Sequence, residues 1–316
     1  MKIAFYETKP EEKAFFSERL KGHDLHFFEG TINEELRSSQ DFEAVSLFIH
    51  SRVTDAVLEM LPRLRYLQTR STGYDHIKCQ ALYRRGLVVS NVAGYGGPAV
   101  AEFAFSLLLN ATRHTHEALM LSKKGNFDYH DLKGIELYGK RIGILGLGTI
   151  GSRMAYIAKG FGMEISAWSR TKKPIVEELG IDFCDLDALL AKSDVVMIAL
   201  PLTPATTDLI DEERAKLLKK DTILVNVARG EIIAKALYTT LPNILCFDVT
   251  ADPACIKRAN VLYTPHMAYY TAEALHRIME ISLRNMQAFI EGKPLPNCLK
   301  LSCEREYGAH QRKDRS

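Results

Sequence analysis

The sequence predicts an α/β protein with two doubly wound domains, each built on a parallel sheet that helices cover on both faces. Short apolar runs alternate with helical stretches along most of the chain, which is typical of strand–helix–strand units and of parallel sheets. The chain has 316 residues, 47% of them hydrophobic, which is enough to give each of two domains its own core.

The first part of the chain predicts one of these sheets. Its first apolar run predicts a strand at Lys2–Tyr6, and the next stretch predicts a helix at Pro10–Leu20. Further short apolar runs predict strands at Leu25–Phe28, Ala44–Ile49, Tyr66–Thr69 and Leu87–Ser90. No glycine-rich loop follows the first strand, so this part does not predict a nucleotide site. Beyond Thr69, the backbone N–H groups of Thr72 and Gly73 are candidates for binding an anion.

A loop rich in turn residues, Asn91–Pro98, separates this part from a long predicted helix, Ala99 to about His116. Pro98 suits the start of that helix, because the first helical residues have no intrahelical partner for an N–H. We interpret the loop as a hinge between the two domains.

The middle of the chain carries the most specific motif. Arg141–Leu145 predicts a buried strand, and Ile165–Trp168 predicts a second one after a helical stretch. Between them, Gly146, Gly148 and Gly151 form G-x-G-x-x-G. Placed between two strands, this is the dinucleotide-binding fingerprint. Its glycines permit a tight turn, a close approach of the pyrophosphate and tight helix–strand packing, and the helix start binds the phosphates.

The residues after the second strand of this unit indicate which dinucleotide binds. An NAD-binding unit usually has Asp or Glu there, bonded to the ribose 2′-hydroxyl. Here Ser169 and Arg170 follow Trp168. A hydroxyl and a guanidinium would bind a 2′-phosphate that a carboxylate would repel. The sequence therefore predicts NADP as cofactor and leaves NAD open.

Composition and charge exclude several classes of function. The formal net charge of +2 gives no electrostatic reason to expect binding to nucleic acid or to a membrane surface. No stretch reaches the roughly 18 apolar residues of a membrane span. The charged start of the chain does not resemble a signal peptide. Six cysteines are scattered without metal-site spacing, so we expect no metal and a cytoplasmic protein with reduced thiols.

Three polar side chains follow predicted strands in the second half of the chain. The strands are predicted at Asp194–Leu200, Thr222–Val227, Ile244–Val249 and Val261–Thr264, and a last helix at Ala272–Glu291. Ligands of open parallel sheets bind beyond the carboxyl ends of strands, where Arg229, Asp252 and His266 lie. Arg229 could bind a substrate carboxylate through two parallel hydrogen bonds. His266 could give a proton to a keto oxygen, and Asp252 could favour its protonated form.

These motifs together resemble the D-isomer-specific 2-hydroxyacid dehydrogenases, and within that family most of all the D-lactate dehydrogenases. The similarity covers almost the whole chain. It rests on the glycine-rich unit and on these segments: Val100–Glu102, Asn226–Gly230, Phe247–Val249 and Thr264–His266.

The resemblance implies an architecture and a set of site residues. A Rossmann cofactor domain, residues 96–266, would be inserted into a flavodoxin-like substrate domain, residues 1–95 and 267–316. Arg229 would bind the substrate carboxylate, and His266 would act as acid and base. The implied substrate contacts are Thr72, Gly73, Tyr95 and Tyr269. The implied cofactor contacts, besides the glycines, are Thr149, Ile150, Pro201, Thr206, Val227 and Asp248.

The chain departs from the family pattern in two places. The family usually has Glu before the proline of the loop after Asp248, whereas this chain has the shorter Asp252 before Pro253. We expect Asp252→Asn to lower turnover and to shift the pH optimum downward. The segment from Glu231 to Leu245 is also compact, with Leu241, Pro242 and Asn243 where a longer turn is common.

Several functions stay open at this point. The first is an NAD(P)H-linked reductase of a small 2-keto acid such as pyruvate, which gives the D-2-hydroxy acid. The second is a glyoxylate or hydroxypyruvate reductase, and the third is a nucleotide-sensing protein of the corepressor type. The resemblance also implies a homodimer through the cofactor domains, to which Phe103–Leu109 could contribute apolar surface.

Overall fold

A computed structural model describes residues 1–77, 82, 84–249 and 252–299. The chain divides into two compact units. The first unit comprises Met1–Tyr95 and Ala272–Ser316, of which residues up to Leu299 are described, and the second comprises Gly96–Thr271. The second junction therefore follows Thr271, whereas the sequence analysis placed it after His266.

The first unit contains a five-stranded parallel sheet. Its strands are β1 (Lys2–Phe5), β2 (Asp24–Phe27), β3 (Ala44–Leu47), β4 (Tyr66–Thr69) and β5 (Val88–Ser90). Their order is β2-β1-β3-β4-β5, the flavodoxin-like order. The helices of this unit whose bounds are described are α1 (Pro10–Arg19), α2 (Ile32–Glu35), α3 (Asp55–Glu59) and the C-terminal helix Ala272–Ile290. The expected fold class is confirmed for this unit.

Alternation along β1 shows how this sheet is buried on both faces. Ile3 and Phe5 belong to a core that includes Met286 of the C-terminal helix. Ala4 and Tyr6 belong to a second core on the other side of the sheet. Successive side chains of a strand point to opposite faces, so a strand with helices on both sides is apolar throughout.

The second unit contains a seven-stranded parallel sheet. Its strands are β6 (Arg141–Leu145), β7 (Glu164–Trp168), β8 (Asp182–Phe183), β9 (Val195–Ile198), β10 (Ile223–Asn226), β11 (Ile244–Phe247) and β12 (Val261–Tyr263). Read from β8, the order is β8-β7-β6-β9-β10-β11-β12, the Rossmann order with one further strand. The order reverses between β6 and β9, and this is where such sheets bind their ligands.

The second unit has seven helices among the described residues. They are α4 (Gly97–Arg113), α5 (Thr115–Lys123), α6 (Thr149–Gly160), α7 (Ile175–Leu179), α8 (Leu186–Lys192), α9 (Glu212–Ala215) and α10 (Leu237–Thr240). Short 3₁₀ turns lie at Gly230–Ile232 and Pro253–Lys257. No helix in the described part of the chain is long and apolar enough to cross a membrane.

Two details of this unit differ from the sequence analysis. The long predicted helix ends at Arg113 rather than near His116, because His114 has a left-handed backbone with φ of 50°. A left-handed residue commonly ends a helix, and a new helix starts at Thr115. The two-residue strand β8 was not expected, since it is too short to leave a periodic pattern.

Candidate active site

The fingerprint glycines differ in what surrounds them. Gly146 has φ of +101°, and a Cβ there would lie 2.8 Å from the carbonyl oxygen of Ala199. A Cβ at Gly151 would overlap the carbonyl oxygen of Gly146. Gly148 is different, because no atom lies within 4 Å of its hypothetical Cβ. Packing therefore requires two of the glycines, and the third leaves an open surface that a side chain would fill.

This open surface lies at the start of α6. Gly148 and Thr149 are exposed and Ile150 is half-buried. The first amides of a helix have no partner within it, and they carry the positive end of the helix dipole. The exposed amides and the missing side chain together fit the pyrophosphate of a dinucleotide.

The residues that would meet a 2′-phosphate lie beside this turn. The amide of Gly146 donates a 2.7 Å hydrogen bond to the carbonyl oxygen of Trp168, the residue before Ser169. The Ser169 hydroxyl donates to the carbonyl oxygen of Thr171 at 2.8 Å. Arg170 is exposed, and no ion pair of its guanidinium occurs among the described residues. It could therefore pair with a phosphate.

Two of the expected cofactor contacts, Pro201 and Thr206, lie together in the loop after β9. The Thr206 hydroxyl donates to the carbonyl oxygen of Pro201 at 2.7 Å and accepts from the amide of Thr203 at 2.8 Å. Thr206 is 9% exposed and Val227 is 8% exposed. Thr206 thus holds the shape of its loop, and the cofactor contacts proposed for these residues stay predictions.

Arg229 lies in a turn that a buried asparagine holds. The side chain of Asn226, the last residue of β10, donates to the carbonyl oxygen of Arg229 at 2.8 Å. Its side-chain oxygen accepts from the amide of Ala228 at 3.0 Å. Asn226 is fully buried, whereas Arg229 is half-buried. The guanidinium donates to the carbonyl oxygen of Ala228 at 2.8 Å, so it lies close to its own turn.

Asp248 connects this turn to the loop that carries His266. Its amide donates to the carbonyl oxygen of Asn226 at 3.1 Å. Its carboxylate accepts from the Thr264 hydroxyl at 2.6 Å, from the amide of Met267 at 2.9 Å and from the amide of Ala268 at 2.8 Å. Asp248 is 1% exposed. The three hydrogen bonds replace those that the buried carboxylate would form with water. Because their donors lie before and after His266, the carboxylate holds the chain in place on both sides of that residue.

His266 is exposed and has an unusual backbone. Its φ of 55° lies in the left-handed region, which few non-glycine residues adopt. Its ring lies 6.2 Å from that of Tyr269, edge to face. The structure therefore brings two of the predicted site residues together, and the hydrogen bonds to Asp248 offset the cost of the strained backbone.

Asp252, the expected partner of His266, begins the 3₁₀ turn Pro253–Lys257. Its carboxylate accepts from the amide of Ala254 at 2.9 Å, which makes it the N-cap of that turn. One of its oxygens is thus engaged locally. Its role toward His266 stays a prediction.

Two hydrogen bonds hold the loop of the first unit that contains Thr72 and Gly73, the residues predicted to bind an anion. The Asn91 side chain donates to the carbonyl oxygen of Thr72 at 2.7 Å, and the Thr72 hydroxyl donates to the carbonyl oxygen of Val92 at 2.8 Å. Thr72 is exposed and Gly73 is half-buried. In the described part of the chain, neither residue's amide donates a hydrogen bond. Tyr95 is buried, and its carbonyl oxygen accepts from the Arg277 guanidinium at 2.8 Å.

Comparison with known proteins identifies the family. Residues 105–268 match the family described as D-isomer specific 2-hydroxyacid dehydrogenase, NAD binding domain. The chain is 32% identical to the D-lactate dehydrogenase of Escherichia coli (strain K12), over 94% of this chain and 99% of that protein. This chain belongs to the D-isomer-specific 2-hydroxyacid dehydrogenases.

This dehydrogenase also resembles other members of the family. It is 36% identical to a glyoxylate reductase of Thermococcus kodakarensis, over 83% of this chain and 84% of that protein. A solved D-lactate dehydrogenase of Aquifex aeolicus, complexed with NAD and lactic acid, matches with a TM-score of 0.82 and 29% identity. That match covers 92% of this chain and 96% of the other. The expectation of a nicotinamide-dependent oxidoreductase acting on a CH–OH group is confirmed.

Asn226 and Tyr238 had no predicted role, and Asp248 was predicted only as a cofactor contact. In the dehydrogenase, these three side chains hold the backbone around Arg229 and His266. An asparagine at the end of a predicted strand, before a turn, could have predicted the role of Asn226, because Asn side chains form hydrogen bonds with the backbone two residues further on. The tyrosine left no such signal.

Proposed function

We propose that this dehydrogenase reduces a small 2-keto acid to the D-2-hydroxy acid, with NADPH as the reductant and pyruvate as the model substrate. Arg229 binds the substrate carboxylate through its planar guanidinium. His266 gives its proton to the keto oxygen as that oxygen gains negative charge. The bound nicotinamide supplies the hydride for the keto carbon. In the reverse direction, His266 takes the proton of the hydroxyl group.

One observation carries this proposal: the hydrogen-bonded frame that joins Arg229 to the His266 loop. Asn226 bonds the carbonyl oxygen of Arg229, the amide of Asp248 bonds the carbonyl oxygen of Asn226, and the Asp248 carboxylate bonds the amides after His266. The frame runs across the ends of β10, β11 and β12, which are neighbours in the sheet. This frame supports the proposal because it holds the backbone of Arg229 and that of the His266 loop at one edge of the sheet, where a guanidinium could bind the carboxylate and an imidazole could protonate the keto oxygen.

We also propose several further substrate contacts. In the first unit, the amides of Thr72 and Gly73 donate to no group in the described part of the chain and would suit a carboxylate, and Tyr95 is a further proposed contact. From the second unit, we propose Tyr269 as a substrate contact and Asp252 as the group that favours the protonated His266. The preference for NADPH rests on Arg170 and Ser169.

A second candidate is reduction of glyoxylate. The 36% identity to a glyoxylate reductase over 83% of the chain supports it. The two substrates share the 2-keto carboxylate that Arg229 and His266 would recognise, and they differ by one methyl group. A methyl group in an apolar pocket contributes only about 1–3 kcal/mol of binding free energy. We therefore expect the enzyme to reduce both pyruvate and glyoxylate, and to prefer pyruvate.

The proposal is tested by Arg229→Lys and His266→Gln. Lysine keeps the charge but loses the paired hydrogen bonds, so the KM for pyruvate should rise at least about tenfold. Glutamine cannot supply a proton, so kcat should fall at least about a hundredfold. His130→Gln, at an exposed histidine paired with Asp128, is the control and should leave both constants unchanged. Wild-type kinetics for either site variant would exclude that residue from its proposed role.

We also propose a cytoplasmic homodimer formed through the second unit. Phe105, Leu107 and Leu108 are buried in the core of their own unit, whereas Phe103 and Leu109 of the same segment are half-buried. The exposed apolar side chains nearest to it in sequence are Leu119, Met120, Phe127, Tyr129, Ile135, Tyr138, Tyr156 and Phe161. We propose that side chains from this set form the interface, as contiguous apolar patches do in other proteins. Light scattering during size-exclusion chromatography should give twice the chain mass, and a monomer mass would contradict the proposal.

A further inference from the structure

The compact segment after Arg229 contains a buried tyrosine with a polar contact. Tyr238 lies on the short helix α10 and is fully buried. Its hydroxyl donates a 2.7 Å hydrogen bond to the carbonyl oxygen of Gly230, the residue after Arg229. Gly230 is itself buried. The contact therefore joins α10 directly to the turn that presents the guanidinium.

Two contacts fix Tyr238 itself. Its ring packs against Phe247 of β11, with centroids 4.9 Å apart. The Arg258 guanidinium donates to the carbonyl oxygens of Tyr238 and Leu241, both at 2.6 Å. The hydroxyl therefore belongs to a side chain that is fixed in place, as is required of a group that positions another residue.

Arg229 is consequently held on both sides. Asn226 bonds the carbonyl oxygen of Arg229 from the strand that precedes the turn. Tyr238 bonds the next carbonyl oxygen along the chain, that of Gly230. The carbonyl oxygen of Gly230 also accepts from the amide of Ile233 at 3.1 Å, within the same turn. Removal of the hydroxyl would leave that bond in place and would release the turn from α10.

We infer that Tyr238 is a positioning residue for Arg229: its hydroxyl, through Gly230, sets the direction in which the guanidinium meets the substrate carboxylate. The inference rests on the proposed role of Arg229 and extends it to the compact segment. Paired hydrogen bonds to a carboxylate depend strongly on direction, so a small rotation of the turn weakens substrate binding.

The test is Tyr238→Phe in the full-length enzyme. Phenylalanine keeps the ring against Phe247, so the fold is retained and only the hydroxyl is lost. The KM for pyruvate should rise about three- to tenfold, while kcat and the KM for NADPH change less than about twofold, because the lost interaction concerns substrate binding.

Thr222→Val is the matched control for a merely structural effect. The Thr222 hydroxyl is also buried and donates to a backbone carbonyl oxygen, that of Ser193, at 3.0 Å. It lies before the first residue of β10, at the end of the strand away from Arg229. Both variants should lower the melting temperature by a few degrees, roughly 2–6 °C. Only Tyr238→Phe should raise the KM for pyruvate.

Arg229→Lys distinguishes the failure of this inference from the failure of the proposed function. If Arg229→Lys raises the KM for pyruvate and Tyr238→Phe does not, Tyr238 is structural and the inference is overturned. An equal rise in Tyr238→Phe and Thr222→Val overturns it as well. If Arg229→Lys leaves the KM unchanged, the proposed role of Arg229 fails, and the inference fails with it.

Discussion

The amide of Ala268 donates a 2.8 Å hydrogen bond to the buried carboxylate of Asp248, twenty positions earlier in the chain. With the bonds from Thr264 and Met267, it fixes the loop in which His266 has φ of 55°. We predict that Asp248→Asn lowers kcat for pyruvate at least about tenfold, because an amide nitrogen would face a donor and displace the loop, at a cost of about 1–3 kcal/mol.

Steady-state kinetics and thermal unfolding of Asp248→Asn test this account. The melting temperature should fall together with kcat. Asp221→Asn, on an exposed turn, is the control and should match the wild type. A variant with wild-type kcat would show that the loop does not depend on Asp248.

Asp252→Asn removes the charge of the Asp252 side chain and should leave the stability of the protein unchanged. Asparagine is as good an N-cap as aspartate, so the 3₁₀ turn should keep its cap and the protein its stability. Without the negative charge, protonated His266 is less favoured, so turnover should fall and the optimum for reduction should move to lower pH. The matched control is Asp211→Asn, which replaces the N-cap of α9. An unchanged pH–rate profile in Asp252→Asn would remove Asp252 from the mechanism.

Arg170→Ala tests the choice of cofactor. Loss of a charge-assisted hydrogen bond to the 2′-phosphate should lower kcat/KM for NADPH about tenfold or more, and should leave that for NADH within about twofold. Lys172→Ala is the control, since its ammonium already pairs with Glu177 at 2.6 Å. A tenfold or greater preference of the wild-type enzyme for NADH would contradict the proposed binding of a 2′-phosphate by Ser169 and Arg170.

Alanine at two fingerprint glycines should have different effects. At Gly148 nothing occupies the space of the new Cβ, so Gly148→Ala should fold normally and bind NADPH at least about tenfold more weakly. At Gly151 the Cβ would overlap the carbonyl oxygen of Gly146, so Gly151→Ala should also lose about 1–3 kcal/mol or more of stability. Thermal unfolding and cofactor titration measure both effects. Equal melting temperatures would contradict the account.

The sequence predicted the parts of the molecule that short-range rules govern. Apolar runs predicted β1, β6 and β9, because a strand that is buried on both faces is mostly apolar. The spacing of the glycines predicted the cofactor loop. The positions of the strand ends predicted Arg229 and His266 as site residues. The role of Asp248 could not be predicted, because its donors lie after the next strand and their identity depends on the tertiary structure. The bond from Tyr238 to Gly230 likewise depends on how the compact segment folds back.

The configuration of the product formed from pyruvate tests the central claim most directly. Purified enzyme is incubated with pyruvate and NADPH, and the lactate is resolved by chiral chromatography, while glyoxylate, hydroxypyruvate and branched 2-keto acids are assayed in parallel with NADPH and NADH. We predict oxidation of NADPH and formation of D-lactate. Formation of L-lactate, or no turnover with any of these acids, would contradict the account.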